Sequence, residues 1–350
     1  MSVSRRGFLA GGAAVASSSL LSSCTTDRDA PPGVPSNSDP DREPLRDAVV
    51  EFDGEHQAGI ATPTQASLNL VGFNLRDGVD KAGLNRLLRL WTEDARELAS
   101  GHPPVGSLEP EMNQWPANLT ITAGVGARCF DIAAPGQKPA WLRPITAMRR
   151  DALRDEWGQS DLVLQICADD PVMCAWAMRH MTRAGADYAR TAWVQQGFMN
   201  AFGAIPTGQT PRNLFGQVDG TVNPYSEEEY REQVWADGPA GFAGGTSMVV
   251  RRIAMHLDEW EKLDRGSREA AIGRKLADGA PLSGGDEYTP ADFSARDSYG
   301  LPAIDPHSHM ARATAPADHP EQRFKRRPYN YNLPPAPGDA AGAAGAGELS

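Results

Sequence analysis

Residues 66–99 read ASLNLVGFNLRDGVDKAGLNRLLRLWTEDARELA, and this stretch decides the fold of the first half of the chain. Its first ten residues, Ala66 to Leu75, combine apolar and strand-favouring side chains and predict a β-strand. Lys81 to Ala99 then place apolar side chains at i, i+3, i+4 and i+7, the spacing of one helix face: Leu84, Leu87, Leu88 and Trp91. The stretch therefore predicts a strand followed by an amphipathic helix that packs on a sheet.

The same rhythm continues downstream. Strands are predicted at Asn118 to Val125, Asp161 to Ala168 and Ala189 to Phe198, and a helix with proline at its start at Pro171 to Gly185. The resulting order, β-α-β-β-α-β, is a ferredoxin-like unit. The pattern begins again with a strand at Thr246 to His256 and a helix that starts at Leu257 to Arg265. We therefore expect an α+β fold of duplicated ferredoxin-like lobes with antiparallel sheets.

The second lobe is expected to be incomplete. Beyond its first strand and helix, only RFKRRPYNYN, residues 323–332, has the character of a strand. The chain then runs PPAPGDAAGAAGAGELS, in which Leu349 is the one large apolar residue, so this tail is expected to form no strand and to pack no helix. The expected boundaries are 47–210 for the first lobe, 211–332 for the second and 333–350 for a disordered tail, as if a C-terminal part were missing.

The N-terminus has the features of an export signal. Residues 1–24 read MSVSRRGFLAGGAAVASSSLLSSC, with a twin-arginine pair at Arg5 and Arg6 and then a weakly apolar run that is too short and polar to span a membrane. The end of this run, Ser22-Ser23-Cys24, resembles a lipobox, which implies a lipid anchor at Cys24 on the extracellular face of the membrane. The alternative is ordinary signal cleavage, with Cys24 incidental and the protein secreted. Residues 25–46 are rich in Pro, Asp and Ser and predict a disordered tether.

Composition narrows the class of protein. The formal net charge of −11 and the pI of about 5.2 argue against a nucleic-acid partner. After Cys24, the chain has three cysteines, an odd number, so at most one disulfide can form among them. We interpret Cys129, Cys167 and Cys174 as small buried hydrophobic residues.

Two separate segments carry candidate chemistry. Pro302 to Asn332 holds three of the seven histidines, His307, His309 and His319, followed by the basic and aromatic run FKRRPYNY. Upstream, Asn213 to Pro224 reads NLFGQVDGTVNP, in which two glycines bracket an acid in a turn that can approach a flat ligand closely. Taken singly, the first segment also fits a solvated surface strand or an HxH-type copper or zinc site, and the second fits an ordinary Asp-Gly turn.

Together the two segments resemble the dye-decolourising (DyP-type) haem peroxidases, whose marks are a GxxDG loop, a distant axial histidine and an arginine about seventeen residues beyond it. These marks fall on Gly216 to Gly220, His309 and Arg326. The resemblance extends through GEHQAGIATP (54–63), LTITAGVGARCFD (119–131), DLVLQICADDP (161–171) and WVQQGF (193–198). It implies a haem b enzyme, with haem between the lobes, that reduces hydrogen peroxide and oxidises dye-like or phenolic small-molecule reductants via a ferryl intermediate.

The resemblance also implies residue roles. His309 is the expected axial ligand of iron, Asp219 the group that shuttles the peroxide proton, and Arg326 the cation that stabilises the departing oxygen and contacts haem. Gly220 and Thr221 are expected to lie against the porphyrin edge. From the residues alone, His307 remains a competitor for His309 and Arg327 for Arg326, and either Glu321 or Asp318 is the expected acceptor for the second ring nitrogen of His309.

The chain departs from the family pattern at several positions. Gln217 and Val218 stand where Phe-Lys is common, MARATAP follows His309 where Ile-Arg-Leu is usual, and Pro328 replaces a polar residue. The sequence has no CxxCH motif, so thioether attachment of haem is not expected. The alternative function is a haem or iron-handling exported lipoprotein, deferrochelatase-like and without useful turnover, which needs neither Asp219 nor Arg326.

Overall fold

The structure is a computed structural model that describes residues 45–206, 208–237, 243–333 and, by their backbone, 345–349. In the first half the elements are β1 (Ser67–Leu75), α1 (Lys81–Ala99), β2 (Thr120–Val125), α2 (Ala127–Ala133), β3 (Leu162–Ala168), α3 (Pro171–Ala184) and β4 (Ala189–Phe198). In the second half they are α4 (Glu227–Gln233), β5 (Arg252–Met255), α5 (Leu257–Glu261), α6 (Arg265–Ile272), α7 (His309–Ala313), β6 (Tyr329–Leu333) and β7 (Gly345–Leu349).

The seven strands form one antiparallel sheet in the order β2-β3-β1-β4-β6-β7-β5. Its first four strands, β2-β3-β1-β4, are connected by α1 and α3 in the order of a ferredoxin-like unit. The predictions of an α+β fold, of antiparallel pairing and of this first unit are confirmed.

Helix α1 forms where the apolar spacing predicts it. The side chain of Asp80 caps its start by accepting a hydrogen bond from the backbone N–H of Gly83 at 2.8 Å. Its buried face packs on the sheet, and Trp91 Nε1 donates to the carbonyl of Met181 on α3 at 3.0 Å. The two helices are thus fixed to each other as well as to the strands beneath them.

The core of the first lobe lies between this sheet and the helices, and it contains two of the three cysteines. Cys129, Cys167 and Cys174 are buried free thiols. Desolvation raises the pKa of Cys129 to about 11 and that of Cys174 to about 12, so both remain protonated at neutral pH. The interpretation of the cysteines as small buried hydrophobic residues is confirmed.

The sheet passes from the first lobe to the second at one residue pair, Phe198 on β4 with Asn330 on β6. Strand β7 then pairs with β6 on one side and with β5 on the other. The expectation that residues 333–350 are disordered and form no strand is therefore wrong for Gly345–Leu349. A ladder is made by backbone N–H and C=O groups, so Gly and Ala can fill a strand that is paired on both sides.

The predicted strand at 246–256 is shorter in the structure, where β5 runs from Arg252 to Met255. In its pairing with β7, Arg252 is opposite Leu349 and Met255 is opposite Ala346. The predicted helix after it is also divided, into α5 and α6. Within the described residues the second half contributes three strands to the sheet.

The predicted signal, residues 1–24, lies outside the described residues, as do the predicted tether up to residue 44 and the tail residues 334–344. Leu45 and Arg46 begin a short 3-10 turn that ends at Asp47. In the part of the chain that the structure describes, none of the helices has the length and apolar character needed to cross a membrane.

Candidate functional site

The loop that carries Asp219 is closed by side chains rather than by regular structure. The guanidinium of Arg212 donates to the carbonyl oxygens of Gly216 at 2.8 Å and Leu276 at 2.7 Å. Asn213 Oδ1 accepts from the backbone N–H groups of Phe215 at 3.1 Å and Gln217 at 3.3 Å, a local turn typical of asparagine. These bonds hold the loop against residues 276–277 and fix the direction of the chain that follows the loop.

Asp219 is held at both its backbone and its side chain. Its N–H donates to the carbonyl of Pro211 at 2.9 Å, and its Oδ2 accepts from Asn213 Nδ2 at 3.3 Å. Gly216 has φ +78° and Gly220 has φ +119°, backbone conformations that favour glycine. The two glycines are therefore needed for the path of the loop on either side of the carboxylate.

The turn after Asp219 is also secured. Tyr225 donates its hydroxyl to the carbonyl of Gly220 at 3.0 Å, and burial raises the pKa of this phenol, which keeps it a donor. Thr221 donates its hydroxyl to Glu287 Oε1 at 2.9 Å. The backbone of Gly220 and Thr221 is thus fixed by contacts on two sides.

His309 is the first residue of α7, a helix of five residues capped by Ser308, whose buried Oγ accepts from the N–H of Ala311 at 3.3 Å. The imidazole keeps exposed surface, yet desolvation by the surrounding protein lowers its pKa below the ordinary value. The charge of Arg326 lowers this pKa further and that of Asp219 opposes the lowering. Burial and the charge of Arg326 therefore both disfavour the protonated ring, and the charges of Asp219 and Arg326 both act on it.

His307 has a different environment. Its side chain is 79% exposed, and its Nδ1 lies 3.3 Å from Oδ1 of Asp305, two residues away. This surface pair involves His307 only with its sequence neighbour, whereas the charges of Asp219 and Arg326 act on His309. Among the described residues no group of three or more His, Cys, Asp or Glu side chains is placed to hold a metal ion.

The two neighbouring arginines separate in the same way. Arg326 has its guanidinium 4.5 Å from the ring centre of Phe324, and its charge acts on His309. Arg327 instead donates to the carbonyl of Thr62 at 2.5 Å and to the side chain of Gln65. Arg327 therefore connects the segment before β6 to the first lobe, whereas Arg326 is the arginine whose charge acts on His309.

Neither expected acceptor for His309 contacts it. Glu321 Oε1 lies 2.9 Å from Nδ1 of His319, and Asp318 Oδ2 lies 3.8 Å from Nε2 of the same ring. Both carboxylates are exposed and lie within two residues of His319 in sequence, so local pairs form in place of the longer contact to His309. The expectation that one of them orients His309 is wrong in this structure.

Two residues of this region make hydrogen bonds that the sequence did not indicate. The side-chain amide of Asn223 bonds to the backbone of Arg326. Lys325 donates to the hydroxyl of Tyr230 at 3.0 Å, and burial together with the charge of Arg327 lowers its pKa to about 8. An asparagine in a loop belongs to no periodic pattern, and a lysine in a basic run is usually solvated. The sequence pattern therefore does not distinguish either residue from its neighbours.

The residues present fit a haem group. A neutral imidazole at His309 offers a nitrogen lone pair to iron, and the site pairs it with one acid and one cation. In the Asp219 loop, Nε2 of Gln217 is buried without a hydrogen-bond partner among the described residues, a donor that a bound group with an acceptor would satisfy. The glycine backbone at Gly216 and Gly220 leaves that loop without side chains at two positions.

Comparisons with known proteins agree with this chemistry. A dye-decolorizing peroxidase from Thermobifida fusca (strain YX) is 35% identical, over 94% of this chain and 81% of the relative. A deferrochelatase from Escherichia coli (strain K12) is 32% identical, over 82% of this chain and 72% of the relative. The crystal structure of a DyP-type peroxidase from Cellulomonas bogoriensis is similar with a TM-score of 0.82 at 43% identity, covering 88% of this chain and 85% of that one.

Both halves of the chain match one family. Residues 57–199 match the N-terminal part of the Dyp-type peroxidases, and residues 210–348 match the C-terminal part. The second match includes the Asp219 loop, His309, Arg326 and residues 345–348 of β7. The chain belongs to the Dyp-type peroxidases.

Proposed function

We propose that His309 holds the haem iron of this peroxidase and that Asp219 and Arg326 carry the reduction of hydrogen peroxide. The chain is a haem-dependent peroxidase by its family. The observation that supports the residue assignment is that the charges of Asp219 and Arg326, far apart in sequence, both act on the His309 imidazole. An acid, a cation and a neutral imidazole at one site are the set that peroxide cleavage needs.

Haem, when bound, supplies the iron that takes up the oxidising equivalents of peroxide. Asp219 removes a proton from one peroxide oxygen and returns it to the other. The carboxylate thus acts first as a base and then as an acid at one position. Its contact with Asn213 Nδ2 at 3.3 Å holds the carboxylate in place for both transfers. The carboxylate must be ionised to begin, so this step slows at acidic pH.

Arg326 acts on charge rather than on protons. Its positively charged guanidinium stabilises the negative charge that grows on the departing oxygen. The ring of Phe324 lies 4.5 Å from the guanidinium carbon and limits the orientations open to it. We propose dye-like or phenolic small molecules as the reductants that complete the cycle.

The test uses matched pairs of variants in purified, haem-loaded protein. His309→Ala should lose the histidine-ligated ferric absorption spectrum, and His307→Ala should retain it. The reverse pattern would assign the ligand to His307.

Asp219→Ala and Arg326→Ala should keep haem and react with peroxide more slowly, by about a hundredfold or more for a lost charge-stabilising or proton-transfer group. The exposed neighbours Asp318 and Arg323, changed to Ala, serve as controls and should react at the wild-type rate. Peroxide reactions as fast in both site variants as in wild type would remove the two residues from the mechanism.

The similarity to deferrochelatases supports a second candidate, a haem or iron-handling protein. Such a function needs His309 for the cofactor but makes no use of Asp219 or Arg326. Release of iron from haem at the same rate in wild type and in the two site variants, without turnover of a phenolic reductant by any of them, would favour this candidate over peroxidase activity.

We also propose export by the twin-arginine route with a lipid anchor at Cys24, on the strength of the motif in residues 1–24. Replacing Arg5 and Arg6 by Lys should keep the protein inside the cell. Cys24→Ala should release it from the membrane fraction. Wild-type protein found free in the medium would contradict the anchor.

A further inference from the structure

Asn223 connects the turn after Asp219 with the segment that contains Arg326. It is four residues after Asp219, and its backbone N–H donates to the carbonyl of Gly220 at 3.1 Å, which closes a turn that begins beside the catalytic carboxylate. Its side chain reaches the other segment of the site, 103 residues further along the chain. One short turn therefore connects Asp219 to a residue that contacts the Arg326 segment.

The contact with Arg326 is reciprocal. Asn223 Nδ2 donates to the carbonyl oxygen of Arg326 at 2.8 Å, and the backbone N–H of Arg326 donates to Asn223 Oδ1 at 2.8 Å. A side-chain amide is the group that offers one donor and one acceptor at this spacing, as a strand neighbour would. Arg326 precedes β6, so it has no strand partner of its own at this position.

We infer that Asn223 is a positioning residue that sets the distance between the Arg326 guanidinium and the Asp219 carboxylate. Both bonds hold the backbone of Arg326 and leave its guanidinium free to act on the substrate. Proton transfer and charge stabilisation at one peroxide molecule require the two groups in register, and a displacement of about 1 Å can cost about a hundredfold in rate. The catalytic part of this inference rests on the proposed function of Arg326.

The first measurement is independent of catalysis. Amide hydrogen exchange at Arg326 should be about tenfold faster in Asn223→Ala, because its N–H loses its acceptor. Asn223→Asp keeps an acceptor oxygen and loses the donor, so this variant should keep the Arg326 amide protected. Unchanged exchange in Asn223→Ala would overturn the inference. If the alanine variant does not fold, Asn223→Leu, which is similar in size and has neither donor nor acceptor, takes its place with the same expected result.

The second measurement is a double-mutant cycle on the peroxide reaction of haem-loaded protein. Asn223→Ala should slow the reaction by about ten- to a hundredfold in wild type. It should have little further effect in the Arg326→Ala background, since the positioned group is gone. An equal slowing in both backgrounds would show that Asn223 does not act through Arg326 and would overturn the inference.

A control separates positioning from general loss of stability. Asp80→Ala also removes a side-chain bond to backbone, of 2.8 Å to the N–H of Gly83, but at the start of α1 in the first lobe. It should lower the melting temperature and leave the peroxide rate and the Arg326 amide unchanged. If Arg326→Ala itself reacts as fast as wild type, the proposed function of Arg326 fails, and the exchange result still decides whether Asn223 holds its backbone.

Discussion

Lys325→Met should change how the stability of this protein depends on pH. Lys325 lies beside the catalytic arginine, with Nζ 3.0 Å from the hydroxyl of Tyr230 and 5.3 Å from the centre of its ring. Burial and then the charge of Arg327 lower its pKa from the usual 10.5 to about 8. The charged ammonium group is therefore less stable in the folded protein than in the unfolded chain.

The size of the effect follows from the two pKa values. At about 1.4 kcal/mol for each pH unit, the lowering from 10.5 to about 8 corresponds to about 3 kcal/mol of instability when the lysine is charged in both states. Below pH 8 the whole penalty is present. Between pH 8 and 10.5 only the unfolded chain keeps the proton, so stability rises with pH, and above 10.5 the penalty is gone.

Methionine fills a similar volume and does not titrate. The variant should be more stable than wild type at pH 7, and the wild type should gain about 3 kcal/mol relative to it as pH rises towards 10.5. Urea unfolding followed by circular dichroism, at one-unit steps from pH 7 to pH 10, measures this difference. Lys81→Met, at an exposed lysine at the start of α1, is the control. A difference between wild type and Lys325→Met that stays constant over this range would refute the reasoning.

Three further predictions concern the fold. Deleting residues 345–350 should lower the melting temperature and expose β5 to protease, because β5 joins the sheet through β7; an unchanged melt and digest would count against that pairing. Gly185→Ala should cost about 1–3 kcal/mol in urea unfolding, since its new Cβ would lie 2.8 Å from the ring of Trp91, whereas Gly136→Ala, in open space, should cost little. Cys129 and Cys174 should resist alkylation in the folded protein at pH 8, because burial keeps both thiols protonated, and rapid labelling of either would contradict this.

The first lobe could be predicted from sequence because its information is local. The apolar spacing of α1 and the cap at Asp80 fix that helix without reference to distant residues, and both of its bounds agree with the prediction. The alternating and apolar runs of β1 and β3 start within a residue of the predicted positions. Each of these elements buries a face that is visible in the sequence itself.

The second half depends on pairings that a sequence does not display. Strand β7 consists mainly of Gly and Ala and exists because β5 and β6 offer ladder partners on both sides. Conversely, residues 246–251 have strand-like composition and no strand in the structure, and β5 begins at Arg252, opposite Leu349. Pairing between distant segments, more than propensity, decided both positions.

The site shows the same division between chemistry and support. Asp219, His309 and Arg326 could be proposed from the sequence because their residue types and order carry the chemistry. Asn223 could not, because what it contributes is one pair of bonds to a backbone that is 103 residues away.

The three groups that we propose as catalytic lie on short irregular elements: a loop, the first turn of a five-residue helix and the residue three positions before β6. Their positions therefore depend on polar side chains that bond to backbone, namely Arg212, Ser308 and Asn223. The stability of the first lobe rests on its apolar core, which none of these three joins. Substitutions at the three supports should thus reduce activity with a small loss of stability, whereas substitutions in the core should reduce activity only as far as they unfold the protein. The positions of the proposed catalytic groups and the stability of the fold thus depend on different sets of residues.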